Sequence, residues 1–368
     1  MKVPFFRYDW FFQENRRQIM SVNEEIMSSG RYVHGEYTNR LEKKLAELCQ
    51  RKYAVTTGSC TDALFFALQA AGIKSGDEVI LPPFSFVATL DSVLRCGAVP
   101  VFVDISQEHY MLDAAKLEEA VTPRTKAIVV VELFGNCHPQ HENIREIAQK
   151  HGIPIIEDAA QAVGVMDNGI STGKIGDIGC FSFDPTKIVS AYGTGGAALT
   201  DSEDEYWTIK QLANHGLRNC IPEISGYNSK ISEMEAAIIL IQIEKLTQTI
   251  DRMTNVAKEY FSQLKGIEGI TLPNICCTQP NFHKFVISTS KRDELRNLLM
   301  ENGVETKIHY PTLLSEQKIL SGKKFLKHNL SNAEKASREV LSLPIYPSIS
   351  EEEISYTCNC IKKFYKCL

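Results

Sequence analysis

One lysine stands between residues that could make it chemically reactive. In the stretch FSFDPTKIVSAYGTGG, residues 181–196, Lys187 follows a strand-like segment and precedes a cluster of glycines. Glycines let the backbone approach a ligand closely. A lysine that is partly desolvated there loses proton affinity and becomes an amine nucleophile for carbonyl groups. The alternative is an exposed lysine in an ordinary loop, which this stretch alone does not exclude.

A second stretch predicts a phosphate site. In VTTGSCTDALFFALQAAG, residues 55–72, small polar residues lie between the end of a strand and the start of a helix. Free backbone N–H groups and the positive end of the helix dipole attract a phosphate at such a position, and Ser59 and Thr61 add hydroxyl groups. Plain N-capping is the alternative, because Ser59 followed by Asp62 resembles a capping box.

A third stretch, IPIIEDAAQA, ends a predicted buried strand with Glu157 and Asp158. In open α/β sheets the carboxyl ends of the strands face the ligand crevice, although an aspartate there can also cap the next helix. A phosphate cradle, a carboxylate and a downstream lysine are together the parts that hold pyridoxal phosphate. Lys187 would form the Schiff base, and the carboxylate would keep the ring nitrogen protonated.

Alternating strands and helices must position these residues. Helical patterns alternate with four apolar segments of strand length, which are EVILPPFSF, AVPVFVDI, KAIVVVELFG and IPIIEDAAQA. Such segments are typical of strands covered on both faces, so the alternation predicts a parallel sheet with crossover helices. A long helical pattern over residues 231–266 then leads into mixed α+β sequence. We therefore predict a large domain over residues 1–245 and a small one over residues 246–368.

Composition and charge narrow the class of protein. The 368 residues are 43% hydrophobic and 23% charged with a net charge of −5, which indicates a globular protein and no nucleic-acid partner. No apolar run has the length of a membrane span or the form of a signal peptide. The eleven cysteines indicate free thiols in a reducing cytoplasm. We expect no metal site, because zinc-ligand spacing is lacking both at Cys276-Cys277 and among four histidines expected at the surface or at helix caps, His34, His138, His141 and His151.

The chain also resembles the DegT/DnrJ/EryC1/StrS family of pyridoxal-phosphate-dependent sugar aminotransferases over nearly its whole length. The likeness is carried by the three stretches above and by SSGRYVHGEYTNRLEKKLAEL, VTPRTKAIVVVELFGN and GYNSKISEMEAAIILIQIEKL. It implies the fold-type I architecture of aspartate aminotransferase, an α/β fold with a large, mostly parallel sheet and a smaller C-terminal α+β domain. It also implies transfer of an amino group from L-glutamate to C-3 or C-4 of a nucleotide-linked keto-deoxyhexose, which gives an amino sugar for glycan, O-antigen or natural-product biosynthesis.

The resemblance assigns roles to particular residues. Lys187 corresponds to the Schiff-base lysine, Asp158 to the partner of the ring nitrogen, and Gln161 to the residue that bonds the ring hydroxyl. Phe86 corresponds to the aromatic residue that stacks on the ring. The phosphate contacts correspond to Ser59, Cys60, Thr61 and Ser182, and to Asn228, which the family donates across a homodimer interface.

Departures from the family pattern lie mainly on the substrate side. Cys60 replaces the usual glycine of the phosphate loop, Glu132 replaces a histidine, and Lys230 replaces an arginine. His309 and Tyr310 are retained, but the histidine that usually follows them in PLH is missing. We interpret Glu132, Lys230, His309 and Tyr310 as candidate substrate contacts, with a structural salt bridge as the alternative for Glu132.

Other functions share some of these residues. The sugar 3-dehydratases of the family replace the lysine with histidine, and this chain retains Lys187. Nothing in the cofactor motifs excludes an aminotransferase that acts on a cyclitol ketone. A non-catalytic regulator on the same fold would tend to lose Lys187 or Asp158. GTGG at residues 193–196 lacks the spacing of a dinucleotide site.

Overall fold

The computed structural model describes residues 1–366. Its helices are α1 (Trp10–Ser29), α2 (Glu36–Leu48), α3 (Cys60–Ala70), α4 (Val87–Arg95), α5 (Ala114–Leu117), α6 (His141–His151), α7 (Glu203–Ala213), α8 (Glu233–Glu244), α9 (Leu246–Leu264), α10 (Arg292–Glu301), α11 (Ser331–Glu339) and α12 (Glu351–Lys366). Its strands are β1 (Tyr53–Thr57), β2 (Glu78–Leu81), β3 (Val99–Phe102), β4 (Thr125–Val131), β5 (Ile155–Asp158), β6 (Met166–Asp167), β7 (Ile170–Ser171), β8 (Ile178–Ser182), β9 (Gly196–Thr200), β10 (Leu217–Arg218), β11 (Ile221–Pro222), β12 (Phe285–Ser288), β13 (Leu326–Lys327) and β14 (Val340–Leu343). None of the helices within these residues is long and apolar enough to cross a membrane.

An eight-stranded sheet forms the centre of the fold. Its strand order is β1-β9-β8-β5-β4-β2-β3-β13. The strand β9 is antiparallel to both of its neighbours, and the other adjacent pairs are parallel. The four strands predicted from apolar segments are β2 to β5, so the predicted mostly parallel sheet is confirmed. Because the chain moves outward in opposite directions from β2 and β4, the carboxyl ends of these strands flank a crevice.

Both faces of the sheet are covered, as continuous apolar strands require. In β4, Val129 and Val131 belong to one buried cluster, and Ile128 and Val130 belong to another on the opposite face. Side chains alternate between the faces of a strand, so a strand that is buried on both faces needs an apolar residue at every position.

The predicted single helix over residues 231–266 is wrong, because it is two helices that meet at Lys245. There the backbone leaves the helical region (φ −106°, ψ 8°). Helix α8 is buried around most of its circumference, whereas α9 buries one face. Along α9, Ile250 still packs with the large-sheet residues, but Met253 belongs to a separate core with β12 and β14. The domain boundary near residue 245 stays a prediction.

The first residues of the chain pack on the C-terminal region. Val3 pairs with Val304 in a parallel bridge and is fully buried in the same core as β12 and β14. The Phe5 N–H donates to the Glu305 carboxylate at 3.0 Å. Residues 3–8 therefore lie beside the small sheet before the chain enters α1.

Candidate active site

A cavity of about 570 Å³ lies at the carboxyl ends of the central strands. Two predicted substrate residues line it, His309 and Tyr310. It is also lined by every predicted cofactor residue except Asn228, namely Ser59, Cys60, Thr61, Phe86, Asp158, Gln161, Ser182 and Lys187. The structure therefore brings residues from five separate stretches of sequence to one site.

The phosphate cradle is the turn between β1 and α3. Ser59 is the N-cap of α3, and its hydroxyl accepts the Asp62 N–H at 3.2 Å. The N–H groups of Cys60 and Thr61 lie in the first turn and have no partner within the helix. The capping interpretation is thus confirmed, and capping also holds these N–H groups in place for an anion. Gly196 of β9 packs against this turn so closely that an added Cβ would lie 2.4 Å from the Cys60 nitrogen.

Cys60 fits the cradle as a neutral side chain. It is buried, and burial followed by the nearby Asp158 carboxylate raises the pKa of its thiol well above the ordinary value. A protonated thiol adds no negative charge to a phosphate site. The departure from glycine is therefore compatible with anion binding.

Asp158 lies at the end of β5 and faces the cavity. Its Oδ2 accepts the Thr89 hydroxyl at 2.7 Å, and Thr89 in turn contacts the Ser85 hydroxyl at 2.9 Å. Burial raises the pKa of Asp158, an effect that the Thr89 and Ala160 hydrogen bonds oppose. Within the described residues no basic side chain lies at ion-pair distance from this carboxylate. The carboxylate is therefore free to pair with a positively charged atom of a ligand. Thr89 could not be identified from the sequence, because it lies in a helix 69 positions away from Asp158.

The adjacent Glu157 has a different role. It is fully buried and accepts three backbone N–H groups, from Gly173 at 2.6 Å, Ile175 at 2.9 Å and Gly176 at 3.1 Å. Because side chains alternate along β5, Glu157 binds a loop on the other face while Asp158 reaches the cavity. The two carboxylates therefore divide into a structural residue and a site residue.

Lys187 projects into the cavity from a turn that its own sequence stabilises. Its N–H donates to the Asp184 carbonyl at 2.9 Å. The Asp184 carboxylate accepts the Thr186 N–H and hydroxyl at 3.0 and 2.6 Å. Burial lowers the pKa of the Lys187 amine, and the Asp158 and Asp184 carboxylates oppose that shift. A larger fraction of neutral amine is therefore available for attack on a carbonyl.

Gln161, Tyr310 and Phe86 complete this part of the cavity. The Gln161 amide accepts the Phe134 N–H and donates to the Tyr310 hydroxyl, each at 2.9 Å. Burial raises the pKa of Tyr310, so its hydroxyl stays protonated. Phe86 is 59% exposed although it is aromatic and lines a cavity. A ring with that exposure fits stacking on a planar ligand.

Glu132 does not line the cavity. It is fully buried, one carboxylate oxygen accepts the His138 N–H at 2.5 Å, and the other has no partner within the described residues. Burial and then the neighbouring Glu157 raise its pKa well above the ordinary value. Within the described residues the alternative of a structural salt bridge at Glu132 is wrong, because a protonated acid in the core needs no positively charged partner.

His138 is not at the surface as the sequence suggested. It is 1% exposed, and its Nε2 lies 2.7 Å from the Leu112 carbonyl. Burial lowers its pKa to about 4, so the ring is neutral. It links the segment after β4 to the segment before α5, and it does not line the cavity.

Asn228 and Lys230 also lie outside the cavity of their own chain. Asn228 is exposed and forms an isolated bridge with Asn214, and the Lys230 amine lies 3.5 Å from the Asn214 side-chain oxygen. Their loop carries three exposed apolar residues, Ile221, Ile224 and Tyr227. The predicted roles of Asn228 and Lys230 across an interface stay predictions.

Four basic residues line a second side of the cavity. Of these four, only His309 was predicted from the sequence as a site residue. We call His283, Lys284, Lys307 and His309 the substrate side, and Ser59, Cys60, Thr61, Asp158, Ser182 and Lys187 the cofactor side. Burial, and then the charges of Lys284 and Lys307, lower the pKa of His309 to about 3. No local motif marks this group, because only His309 belongs to a stretch that carries the family likeness.

Among residues 1–366, one group of potential metal ligands lies outside the cavity. The ligand atoms of Cys137, His141 and Asp167 lie within 4.8 Å of one another. The sequence spacing that argued against zinc does not detect this group, since the three residues come from separate elements.

The cofactor side fits pyridoxal phosphate. The free N–H groups and hydroxyls at the start of α3, with Ser182, would hold the phosphate. The buried Asp158 carboxylate would pair with a protonated ring nitrogen, and the exposed face of Phe86 would stack on the ring. Lys187 would meet the aldehyde, because its amine enters the same cavity.

Comparisons with known proteins agree with this geometry. The model of the DegT/DnrJ/EryC1/StrS aminotransferase family matches residues 13–362. A protein of Geobacillus stearothermophilus named pleiotropic regulatory protein is 37% identical, with 100% of this chain and 99% of the relative covered. The UDP-N-acetyl-3-dehydro-alpha-D-glucosamine 3-aminotransferase of Acidithiobacillus ferrooxidans is 36% identical, with 98% and 97% covered. The UDP-2-acetamido-2-deoxy-3-oxo-D-glucuronate aminotransferase of Pseudomonas aeruginosa is 36% identical, with 91% and 92% covered.

Solved structures give the same result. The crystal structure of S. venezuelae DesV superposes with a TM-score of 0.95 at 34% identity, with 99% of each chain covered. The structure of ntda from Bacillus subtilis with the bound cofactor pmp superposes with a TM-score of 0.92 at 34% identity, with 99% of this chain and 85% of that chain covered. The predicted fold class is thereby confirmed. The chain therefore belongs to the DegT/DnrJ/EryC1/StrS aminotransferase family, which depends on pyridoxal phosphate.

Proposed function

We propose that this chain is a cytoplasmic aminotransferase that moves the amino group of L-glutamate to the C-3 or C-4 keto group of a nucleotide-linked keto-deoxyhexose. The observation that supports it best is the convergence of Lys187, Asp158 and the α3 cradle on one cavity. Two relatives whose names state aminotransfer to 3-keto UDP-sugars add to it. The product is an amino sugar for glycan or natural-product biosynthesis.

Different residues of the chain have different roles in the reaction. Pyridoxal phosphate, when bound, supplies an aldehyde that accepts the amino group and a ring that takes up the electron pair left when a proton is removed. The Lys187 amine removes the proton from the α-carbon of the donor and carries it to the neighbouring reacting carbon. Its lowered pKa favours the neutral, proton-accepting form. The Asp158 carboxylate would stabilise the protonated ring nitrogen of the cofactor in both half-reactions.

The same residues act in reverse on the keto sugar. After the keto acid leaves, the keto group of the sugar enters the position that the donor occupied, and the Lys187 amine again transfers the proton. One site thus serves both substrates in turn, so the kinetics are expected to be ping-pong. The Tyr310 hydroxyl and the Gln161 amide, which bond each other at 2.9 Å, hold this region of the cavity in place.

The first experiment measures the two half-reactions separately. Purified protein loaded with pyridoxal phosphate should absorb visible light, lose that absorbance when glutamate is added, and release 2-oxoglutarate in a 1:1 ratio to sites. The aminated protein is then mixed with a panel of keto sugars linked to dTDP, UDP or GDP and with a cyclitol ketone. A Lys187→Ala variant is the control. A protein that binds the cofactor but converts neither glutamate nor any ketone would contradict the proposal.

We also propose that the enzyme is a homodimer in which Asn228 contacts the phosphate of the partner's cofactor. Asn228 is exposed outside its own cavity, and the apolar residues beside it are exposed as well, as expected of an interface. Mixing Lys187→Ala chains with Asn228→Ala chains tests this. A hybrid dimer would contain one intact site, so activity should return on mixing. Two inactive variants that stay inactive when a mixed dimer is demonstrated would contradict it.

A regulatory role is the second candidate, because one relative is named a pleiotropic regulatory protein. Lys187 and Asp158 both line the cavity here, and a protein that only binds an effector has no need of either. Turnover in the half-reaction assay separates the two functions.

A further inference from the structure

Two lysines on the substrate side have no counter-charge. Lys284 and Lys307 both line the cavity, and within residues 1–366 neither amine has a carboxylate at ion-pair distance or a side-chain hydrogen bond. Both amines lie near aromatic rings. The Lys284 amine lies 5.4 Å from the Phe5 centroid and 5.9 Å from the Phe6 centroid, and the Lys307 amine lies 5.0 Å from the Phe5 centroid.

The position of Lys284 makes this arrangement costly. The residue is 8% exposed, and an unpaired buried charge is expensive in free energy. Burial, and then the charges of Lys187 and Lys307, lower its pKa to about 7. The acidic group whose charge opposes this shift, Asp184, already accepts the Thr186 N–H and hydroxyl. Cation–ring contacts offset only part of such a cost.

The cofactor does not account for these charges. Its phosphate would be bound by the α3 cradle, and its ring nitrogen would pair with Asp158. The charge of Lys187, the reacting lysine, contributes to the lowered pKa of Lys284, and both residues line the same cavity. An anion bound by Lys284 would therefore share that cavity with the reacting group, and it would belong to a substrate.

One cavity must receive two substrates in turn, and this constrains the sugar. Glutamate brings a side-chain carboxylate that can pair with the lysines. A sugar with a neutral ring would leave Lys284 buried and unpaired in the second half-reaction, because the diphosphate of a nucleotide-linked sugar is attached at C-1 and not at the reacting carbon. A site built for a charged partner discriminates strongly against an analogue that lacks it.

From the unpaired lysines and the shared site we infer that Lys284 and Lys307 form an anion subsite, and that the keto sugar carries a carboxylate or a phosphate on its ring. This inference rests on the proposed function, because it assumes a keto-sugar acceptor. It narrows the acceptor to acidic hexoses, either uronates or hexose phosphates.

The test compares matched acceptors in the second half-reaction. Enzyme aminated by glutamate is mixed with keto hexoses that share one nucleotide and differ only in carrying a ring hydroxymethyl, carboxylate or phosphate group. We expect the wild-type enzyme to prefer an acidic acceptor by about 100-fold in the second-order rate constant, the size expected for hydrogen bonds to charged groups. The better of the two acidic acceptors identifies the source of the anion.

Variants connect that preference to the lysine. Lys284→Met, which is apolar and similar in length, should lose the preference, and Lys284→Arg should keep most of it. Lys323→Met, at an exposed lysine outside the cavity, is the control. Thermal unfolding shows whether each variant is folded. Replacing glutamate with alanine as donor should slow the first half-reaction of the wild-type enzyme and make little difference to Lys284→Met.

Two results would overturn the inference. Equal rates with neutral and acidic acceptors in the wild-type enzyme would mean that no ring anion is recognised. A preference for acidic acceptors that survives unchanged in Lys284→Met would place the anion elsewhere. Failure to aminate any keto sugar after a normal glutamate half-reaction is a distinct outcome, which contradicts the proposed acceptor and removes the inference with it.

Discussion

The two sides of the cavity differ in how their charges are balanced. On the cofactor side, groups are held by the protein itself, since Thr89 and Ala160 bond Asp158, Asp184 holds the Lys187 turn, and Ser59 caps α3. On the substrate side, Lys284 and Lys307 line the cavity with two histidines, and neither lysine has a carboxylate at ion-pair distance among the described residues. The first side is built to keep one resident group in place. The positive charge of the second side is balanced only when an anionic ligand binds.

The largest effect should follow from changing Lys187. Lys187→Arg keeps a positive charge on the cofactor side but removes the amine that can lose its proton at neutral pH. We expect both half-reactions to slow by about 10³-fold or more, measured by the loss of visible absorbance with glutamate. Lys323→Arg should react like the wild-type enzyme. Rates near wild type in Lys187→Arg would remove this lysine from the reaction.

Asp158→Asn comes next, because it removes charge from the cofactor side without changing its shape. A neutral amide stabilises a protonated ring less well, so both half-reactions should slow by about 10²-fold. Cofactor should still bind, since the phosphate cradle is intact. Equilibrium dialysis against pyridoxal phosphate checks binding, and stopped-flow absorbance checks the rates. A variant that bound no cofactor but was folded would point to a different role for Asp158.

A change at the neighbouring carboxylate should affect stability and leave the chemistry intact. Glu157→Gln places an NH₂ group among the three N–H donors of residues 173, 175 and 176, which Glu157 now accepts. We expect the free energy of unfolding to fall by about 2 kcal/mol, as measured in urea. Turnover per folded, cofactor-loaded site should stay within about twofold of wild type. A large loss of turnover without a loss of stability would reverse the roles of these two residues.

On the substrate side the sign of the stability change should be opposite. The folded-state pKa of Lys284 is about 7, against an ordinary value of 10.5, so its charge disfavours folding as pH falls from about 10.5 towards 7. Lys284→Met should therefore raise the free energy of unfolding by about 1 kcal/mol at pH 7, after allowing for water in the open cavity. That gain should shrink as pH rises towards 10.5. A destabilised variant at pH 7 would show that Lys284 is paired in the free protein.

The sequence predicted which residues of the cofactor side meet in one cavity, because each stretch that carries them is local. The cradle, the end of β5 and the Lys187 turn are each set by fewer than a dozen consecutive residues, so their chemistry is visible as short stretches. The predicted sheet followed for the same reason, since strands covered on both faces are continuously apolar.

Features that depend on contacts between distant residues were not predictable in this way. Thr89 reaches Asp158 across 69 positions, and the lowered pKa of Lys284 results from burial and then from the charges of the distant Lys187 and Lys307. Glu132 looked like a site residue at the end of a strand, but its side chain accepts the His138 N–H in the core. The helix break at Lys245 escaped detection because apolar spacing continues through it, although the partners change from one core to another.

The thiol of Cys60 has a practical consequence for handling the enzyme. Reagents and oxidants attack thiolates at accessible positions, whereas this thiol is buried and holds its proton. Cys220 is the exposed cysteine among the described residues, so alkylation or peroxide should modify it before Cys60. A preparation stored without reducing agent should thus lose free thiols in a standard titration well before its phosphate-binding turn is damaged.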